Sequence, residues 1–269
     1  MGNKRNRIYF GRAAVDVVTK AEVLVRADEF FQVRQNPMRP AVIATVNAQF
    51  VHLAKQQPRF ASFLNRADLS IADGMSVVFG SRLLGKPLPE RITGLDLTND
   101  LCELLDRQCG SVYLLGGKPG AASLTAKMLQ VRYPRLRIAG VNCPLMEFEK
   151  VPEATGAVLE MVREAHPDLL LVGLGAPKQE YWIEDNLAAL PCKLVMGVGC
   201  TFDVLCGQVR RAPAWMQRAN LEWFFRVCVE PGRLWKRYLL GNSYFVWVVL
   251  RECLAKKVRR QSDSKVEEV

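Results

Sequence analysis

The stretch Asp168-Leu-Leu-Leu-Val-Gly-Leu-Gly-Ala-Pro-Lys-Gln-Glu180 indicates the fold class of this chain. Its near-continuous apolar run ends at Gly173 and Gly175, and Pro177 follows at a position where a helix can begin. This order predicts a buried parallel strand, a glycine turn and a helix N-terminus. An ordinary strand-to-helix connection and a ligand-binding turn are both compatible with the segment taken alone.

The same alternation recurs along the chain. A helix over residues 21–35 is expected before the Pro37–Pro40 break, and the core is expected to start after that break. Strands alternating with helices of about 10–15 residues indicate parallel βαβ units. The prediction is an α/β fold with a doubly wound, mostly parallel Rossmann-like sheet that binds ligands at the carboxyl ends of its strands. The predicted strands lie near 41–46, 68–74, 111–117, 136–141 and 193–198.

Small and polar residues follow these predicted strands on one rim of the sheet. Glycines let a ligand approach the backbone, and free N–H groups at a helix N-terminus favour an anion such as phosphate. Side chains on the first turn of the helix that follows can add hydrogen bonds. Candidate ligand-contacting residues at this rim are Thr45, Asn47, Gly116, Gly117, Gly175, Lys178 and Gln179.

Charge is distributed unevenly along the 269 residues, whose formal net charge is +10. Residues 207–260 hold 12 Lys and Arg against three Glu, and aromatic residues are interleaved with them from about residue 214. We therefore divide the chain into an α/β core over 1–213 and a helical, aromatic–basic appendage over 214–269, which faces an anionic membrane surface or nucleic acid. Packing of these aromatics on the core is the alternative.

Spacing within the appendage predicts an amphipathic helix over Leu221–Val229 that stops at Pro231-Gly232. The apolar run 244–250 is much shorter than the ~20 residues that cross a bilayer. The first 31 residues mix charges and lack an apolar signal region, so a cytoplasmic location is expected. Eight cysteines show no metal-ligand spacing and no Asp-x-Asp occurs, so neither a metal nor a cofactor is expected.

Three functions from different classes each fit some feature of the sequence. A nicotinamide-dependent oxidoreductase is disfavoured because Gly116-Gly117-Lys-Pro-Gly120 is not GxGxxG. The next strand also ends at Val141-Asn142, without the acidic residue that would hold a ribose about 20 positions after the glycine turn. A nucleic-acid-binding protein fits the basic tail but not the nearly neutral, glycine-rimmed core. A nucleotide-sugar enzyme needs a cation near the diphosphate and a carboxylate that activates an acceptor hydroxyl, which Arg91 and Asp73 can supply.

The chain resembles the WecG/TagA/CpsF family of bacterial glycosyltransferases over residues 40–240. No single motif identifies this family, but the motifs taken together do. The segments that carry the resemblance are Thr45–Asn47, Ala72–Gly74, Arg91–Gly94, Leu115–Gly117, Gly173–Glu180, Gly197–Asp203, Gly207, Arg210–Pro213, Leu221–Trp223 and Glu230–Tyr238.

The resemblance implies inverting transfer of a sugar, typically of N-acetylmannosamine type, from a UDP-sugar to a polyprenyl-diphosphate-linked saccharide in cell-surface polysaccharide synthesis. It implies a peripheral enzyme on the inner face of the membrane, and a homo-oligomer stays open. Independently of the resemblance, the missing Asp-x-Asp argues against a metal-bound diphosphate, and the nearly neutral core argues against nucleic acid as a partner. By matching positions, Asp73 is the general base with Thr45 and Asn47 beside it, and Arg91 acts with it. The residues at positions that contact substrate or nucleotide in the family are Gln179, Asp203, Arg226, Arg233 and Arg237. Caps of the following helices are the alternative roles of Asp73 and Asp203.

Overall fold

The computed structural model describes residues 5–32, 39–145, 147–213, 215–216, 221–229 and 231–266. Among these residues, six parallel strands form one sheet in the order β4-β3-β8-β7-β5-β6. This arrangement confirms the predicted doubly wound α/β fold. The strands are β3 (Ala41–Val46), β4 (Leu69–Ala72), β5 (Ser111–Gly116), β6 (Arg137–Asn142), β7 (Leu169–Gly173) and β8 (Leu194–Gly197).

Helices connect these strands and cover both faces of the sheet. The connection between β3 and β4 contains two helices, because Pro58 opens the second one. The helices are α1 (Lys20–Gln32), α2 (Ala48–Gln56), α3 (Pro58–Arg66), α4 (Met75–Leu83), α5 (Gly94–Arg107), α6 (Ala121–Arg132), α7 (Pro152–Ala165), α8 (Lys178–Asn186), α9 (Thr201–Leu205), α10 (Glu222–Val229) and α11 (Pro231–Val266).

Alternate residues of the central strands enter two hydrophobic clusters. In β7, Leu170 and Val172 face one cluster, whereas Leu169 and Leu171 face the other. Successive side chains of a strand point to opposite faces, so a strand covered on both sides is apolar throughout. Helices α1, α5, α6 and α9 cover one face, and α2, α3, α4, α7, α8 and α11 cover the other.

The expectation that the core starts after residue 40 is wrong. An antiparallel hairpin of β1 (Arg7–Phe10) and β2 (Ala13–Asp16) precedes α1. Ile8, Phe10, Ala13 and Val15 of this hairpin are buried in the core cluster. Arg7 Nε pairs with Asp16 Oδ1 at 2.7 Å, and Asp16 Oδ2 accepts from Ser70 N at 2.7 Å. These polar contacts tie the hairpin to β4. The helix predicted over 21–35 is described only as far as Gln32, and residues 33–38 lie outside the described part.

The C-terminal segment contributes to the same core. Helix α10 ends at Val229 as the sequence predicts, but Pro231 and Gly232 open the long helix α11 instead of ending helical structure. In the middle of α11, Phe245, Val248 and Val249 join the cluster that contains strand residues of β3 and β7. The middle of α11, which lies within the predicted appendage, therefore packs on the core through these three side chains. None of the described helices is both long enough and apolar enough to cross a membrane.

Candidate active site

Glycine turns at the carboxyl ends of β5 and β7 are bound to each other. Gly116 and Gly117 have φ values of 97° and 84°, and Gly117 N donates to Gly173 O at 2.8 Å. A Cβ on Gly116 would lie 2.7 Å from Gly173 O, so the close approach of these two turns requires a glycine. The turns lie at the rim where the sequence predicts ligand binding.

Gln179 connects the turns that follow β7 and β8. Its side-chain Oε1 accepts from Gly175 N at 3.1 Å and from Gly199 N at 2.9 Å, and its Nε2 donates to Glu180 Oε1 at 2.7 Å. The residue is only 2% exposed. Gln179 was predicted to contact substrate, but its side-chain amide is used to brace the two turns beneath the rim.

Asp203 has a similar bracing role in the structure. It is the third residue of α9, and its Oδ1 accepts from Lys118 N at 2.9 Å, which joins α9 to the turn after β5. Cys200, not Asp203, is the N-cap of α9, so the alternative role as a helix cap does not apply. The neighbouring Phe202 ring packs directly beneath Gly117 and Gly173.

Asp73 lies at the end of β4, beside the end of β3. Its backbone N donates to Val46 O at 2.9 Å, and its Oδ1 accepts from Gly94 N at 3.1 Å. Gly74 is the N-cap of α4, so the proposed capping of α4 by Asp73 is not observed. Asp73 instead receives the first N–H of α5, where the helix dipole favours a negative charge.

Thr45 and Asn47 lie close to Gly94 and Gly74, the two glycines that bind and follow Asp73. The Thr45 methyl lies 3.4 Å from the position that a Cβ on Gly94 would take. Asn47 is the N-cap of α2, and its side chain accepts from Gln49 N and Phe50 N at 3.1 and 3.2 Å. The side-chain carbonyl oxygen of Asn47 therefore caps α2. This structural role does not depend on what the side-chain NH₂ group contacts in a complex.

The surroundings of Asp73 raise the pKa of its carboxyl. Burial is the largest cause, and the nearby charge of Glu222 acts in the same direction. The hydrogen bond from Gly94 and the positive charges of Arg226 and Arg91 oppose this shift without cancelling it. A carboxylate whose pKa is raised towards neutrality is a better proton acceptor than an ordinary aspartate.

Two arginines meet beside Asp73, one from the core and one from α10. Glu222 lies between them, with Oε2 3.7 Å from Arg91 Nη2 and Oε1 3.5 Å from Arg226 Nη2. Arg226 Nη1 also lies 3.4 Å from Cys200 Sγ, at the turn after β8. Arg226 thus reaches the same rim as the core residues. Arg233 and Arg237 lie on α11, and their side chains are outside the described part.

Lys178 pairs with carboxylates of the segment between β6 and α7. Its Nζ is 3.1 Å from Glu149 Oε1 and 3.8 Å from Glu147 Oε1. The charge of Lys178, predicted to help bind an anion, is therefore balanced within the protein.

Glu222 and Cys200 belong to motifs that the sequence shows, but neither was predicted to have a role in the site. The four-residue spacing of Glu222 and Arg226 on one helix was the available signal for the first of them. No group of three or more His, Cys, Asp or Glu side chains suited to a metal ion occurs among the residues described.

Comparison with known proteins identifies the family. The model of the "Glycosyl transferase WecG/TagA/CpsF family" matches residues 8–259. A Bacillus spizizenii protein named N-acetylglucosaminyldiphosphoundecaprenol N-acetyl-beta-D-mannosaminyltransferase is 32% identical over 217 residues, which cover 81% of this chain and 82% of that protein. Proteins of the same name from Bacillus subtilis and Staphylococcus aureus are 32% and 31% identical, over 79% and 72% of this chain and 80% and 73% of their own. These findings favour the glycosyltransferase prediction over the oxidoreductase and nucleic-acid-binding alternatives.

Proposed function

We propose that this chain, which belongs to the WecG/TagA/CpsF family of glycosyltransferases, transfers an N-acetylmannosamine-type sugar from a UDP-sugar to a polyprenyl-diphosphate-linked saccharide, with inversion. The names of the relatives support the sugar and the lipid-linked acceptor. The observation that carries the proposal is the partly buried carboxyl of Asp73, whose pKa is raised and which lies near the charges of Arg91 and Arg226 at the carboxyl end of the sheet.

In the proposed reaction, Asp73 accepts the proton of the acceptor hydroxyl as its oxygen attacks the anomeric carbon of the donor sugar. The bond from that carbon to the diphosphate oxygen breaks on the opposite face, and UDP leaves with the bonding electrons. One displacement of this kind inverts the anomeric centre. It also places developing negative charge on the diphosphate, which cations can stabilise in the transition state.

Arginines must supply much of this stabilisation if no metal takes part. The N–H groups of Gly117, Gly175 and Gly199 already donate within the protein, so they are not available for the diphosphate in this conformation. Among the side chains that the structure describes, Arg91 and Arg226 are the cations whose charges are close enough to affect Asp73. We therefore assign them to the diphosphate, with Thr45 and the glycine turns shaping the pocket.

The test is a panel of UDP-sugars with a polyprenyl-diphosphate-linked acceptor, followed by UDP release. Asp73→Asn is expected to slow transfer about 10²- to 10⁴-fold and to change UDP affinity by only a few fold. The amide oxygen of Asn can still accept the Gly94 N–H, so folding should persist. Asp185→Asn, an exposed position paired with Arg59, is the control for removal of one carboxylate. Near-full turnover of Asp73→Asn would remove the proposed base.

We further propose that the enzyme acts on the inner, cytoplasmic face of the cell membrane, which α11 contacts. Exposed apolar side chains recur along one side of this helix at Trp235, Leu239, Val246, Leu250 and Leu254. Phe245, Val248 and Val249 of the same helix are buried in the core instead, and basic residues are interleaved with the stripe along the sequence. An amphipathic helix of this kind suits the headgroup boundary, and each nearby Lys or Arg adds about 1 kcal/mol on an anionic leaflet.

Sedimentation with anionic vesicles tests this contact. The pair Leu250→Glu and Leu254→Glu should abolish cosedimentation, whereas Leu124→Glu, on an exposed position of α6, should not. Unchanged binding of the pair would refute the membrane assignment. Conversion of a dimer into a monomer by the same pair, without an effect on vesicle binding, would identify the stripe as an interface between two copies.

A further inference from the structure

Glu222 occupies a central place in the charge arrangement beside Asp73. It lies on the first turn of α10, and its side chain is 15% exposed. Its two carboxylate oxygens face different arginines, Arg91 at 3.7 Å and Arg226 at 3.5 Å. Arg91 precedes α5 in the core, whereas Arg226 lies one turn along α10. One carboxylate therefore connects the core to the C-terminal segment at the candidate site.

Without a negative charge between them, two guanidinium groups in this position would repel each other. Both separations are longer than the ~2.7–2.9 Å of a short charge-assisted hydrogen bond, so Glu222 holds the arginines by charge and not by short bonds. Such a contact orients the two side chains and leaves them able to bind a stronger anion. A diphosphate, with more charge than a carboxylate, is an anion of that kind.

We propose that Glu222 is a positioning residue that holds Arg91 and Arg226 side by side, so that both face the diphosphate of the nucleotide sugar. This inference rests on the proposed function and adds to it a residue that touches neither substrate nor the reacting atoms. It also gives α10 a definite role, because docking of this helix brings Glu222 and Arg226 to the core together.

A second consequence concerns Asp73. The groups that face its carboxyl are the Gly94 N–H from α5, Arg91 from the loop before α5, and Arg226 and Glu222 from α10. Burial and Glu222 raise the pKa of Asp73, and the other three groups lower it. Removal of the Glu222 charge should therefore lower that pKa. The acidic limb of the pH profile of kcat/KM, which reports the free enzyme, should then move to lower pH.

The experiment compares Glu222→Gln, Glu222→Asp and a control, Glu164→Gln, at an exposed position of α7. Glu222→Gln should lower kcat/KM at least tenfold and move the acidic limb to lower pH. Glu222→Asp keeps the charge but shortens the reach, so it should lower kcat/KM and leave the limb in place. Thermal unfolding midpoints close to that of the wild type would show that the variants are folded.

Two results would overturn the inference in distinguishable ways. A wild-type rate and pH profile in Glu222→Gln, with an active parent enzyme, would reduce Glu222 to a surface ion pair and leave the proposed function intact. A parent enzyme that transfers no sugar and binds no UDP would refute the proposed function, and the inference with it. Should Glu222→Gln fail to fold, a wild-type kcat/KM in Glu222→Asp would equally refute it.

Discussion

Phe245→Ala is expected to destabilise the whole protein, although Phe245 lies in the segment that the sequence assigns to an appendage. The side chain is 4% exposed, and its ring centroid is 5.2 Å from that of Phe10 in the N-terminal hairpin. Its ring also packs against Gly80 of α4, where a Cβ would lie 2.7 Å away. Phe245 therefore fills a space between α11, α4 and β1.

Removal of a buried phenylalanine ring costs about 3–5 kcal/mol, since both the transfer energy and the packing are lost. A domain of this size has a stability of about 5–15 kcal/mol, so the loss is a large share of the total. At roughly 2–4 °C for each kcal/mol, the unfolding midpoint should fall by about 6–20 °C. Urea unfolding followed by circular dichroism gives the free energy directly.

Val246→Ala is the matched control, because Val246 is the next residue of the same helix and is 55% exposed. Its effect should stay within about 0.5 kcal/mol. An equally small effect of Phe245→Ala would refute the packing of α11 on the core. If the prediction holds, truncation after Arg218 would expose a core surface, so the catalytic role of the C-terminal arginines should be tested by point substitutions instead.

Three further predictions concern the bracing of two turns by Gln179, the independence of transfer from metal ions, and the pKa of His52. Gln179→Ala leaves the N–H groups of Gly175 and Gly199 without their acceptor, and should lower the free energy of unfolding by about 1–3 kcal/mol and slow transfer. The exposed Gln130→Ala should do neither, and equal urea-unfolding curves for the two variants would contradict the bracing role. Transfer should persist in excess EDTA; strict dependence on added Mg²⁺ or Mn²⁺ would show that the arginines do not suffice. Burial and then the charge of Lys55 lower the pKa of His52 below its ordinary 6.5, so the unfolded chain binds the proton more readily. Stability should fall as pH drops below 6.5, and His52→Asn should flatten that dependence; an unchanged slope would exclude His52 as its source.

The sheet could be predicted from the sequence because most of its strands are buried on both faces. Such strands are short continuous apolar runs, and β7 with the glycine turn after it is the clearest case. The N-terminal hairpin was missed for the opposite reason. Each of its strands has four residues, and Arg7 and Asp16 interrupt the apolar pattern. Their hydrogen bonds to each other and to β4 become apparent only when the chain is folded.

The position of the candidate site could also be predicted, since the carboxyl ends of neighbouring parallel strands must meet. Asp73 follows β4 and Thr45 is the penultimate residue of β3, and these strands are neighbours in the sheet. From the sequence alone, a polar side chain that faces a ligand could not be distinguished from one that braces a turn. Gln179, Asp203 and Asn47 all bind backbone N–H groups, because tight turns and helix N-termini leave donors that need an acceptor.

The bracing of the turns affects which groups can stabilise the negative charge of a diphosphate. Because several turn N–H groups are used to hold the rim together, the rim is rigid but offers less backbone charge to a diphosphate than its glycines suggest. The cations beside Asp73 then matter more, and one of the two, Arg226, comes from the same C-terminal segment that carries the exposed apolar stripe of α11. If α11 lies on the membrane and Glu222 orients Arg226, then a displacement of this segment would disturb both membrane contact and the arginine pair. Vesicle binding and the response to Glu222→Gln should therefore be measured on the same preparations, because a purely soluble assay would report only one of the two effects.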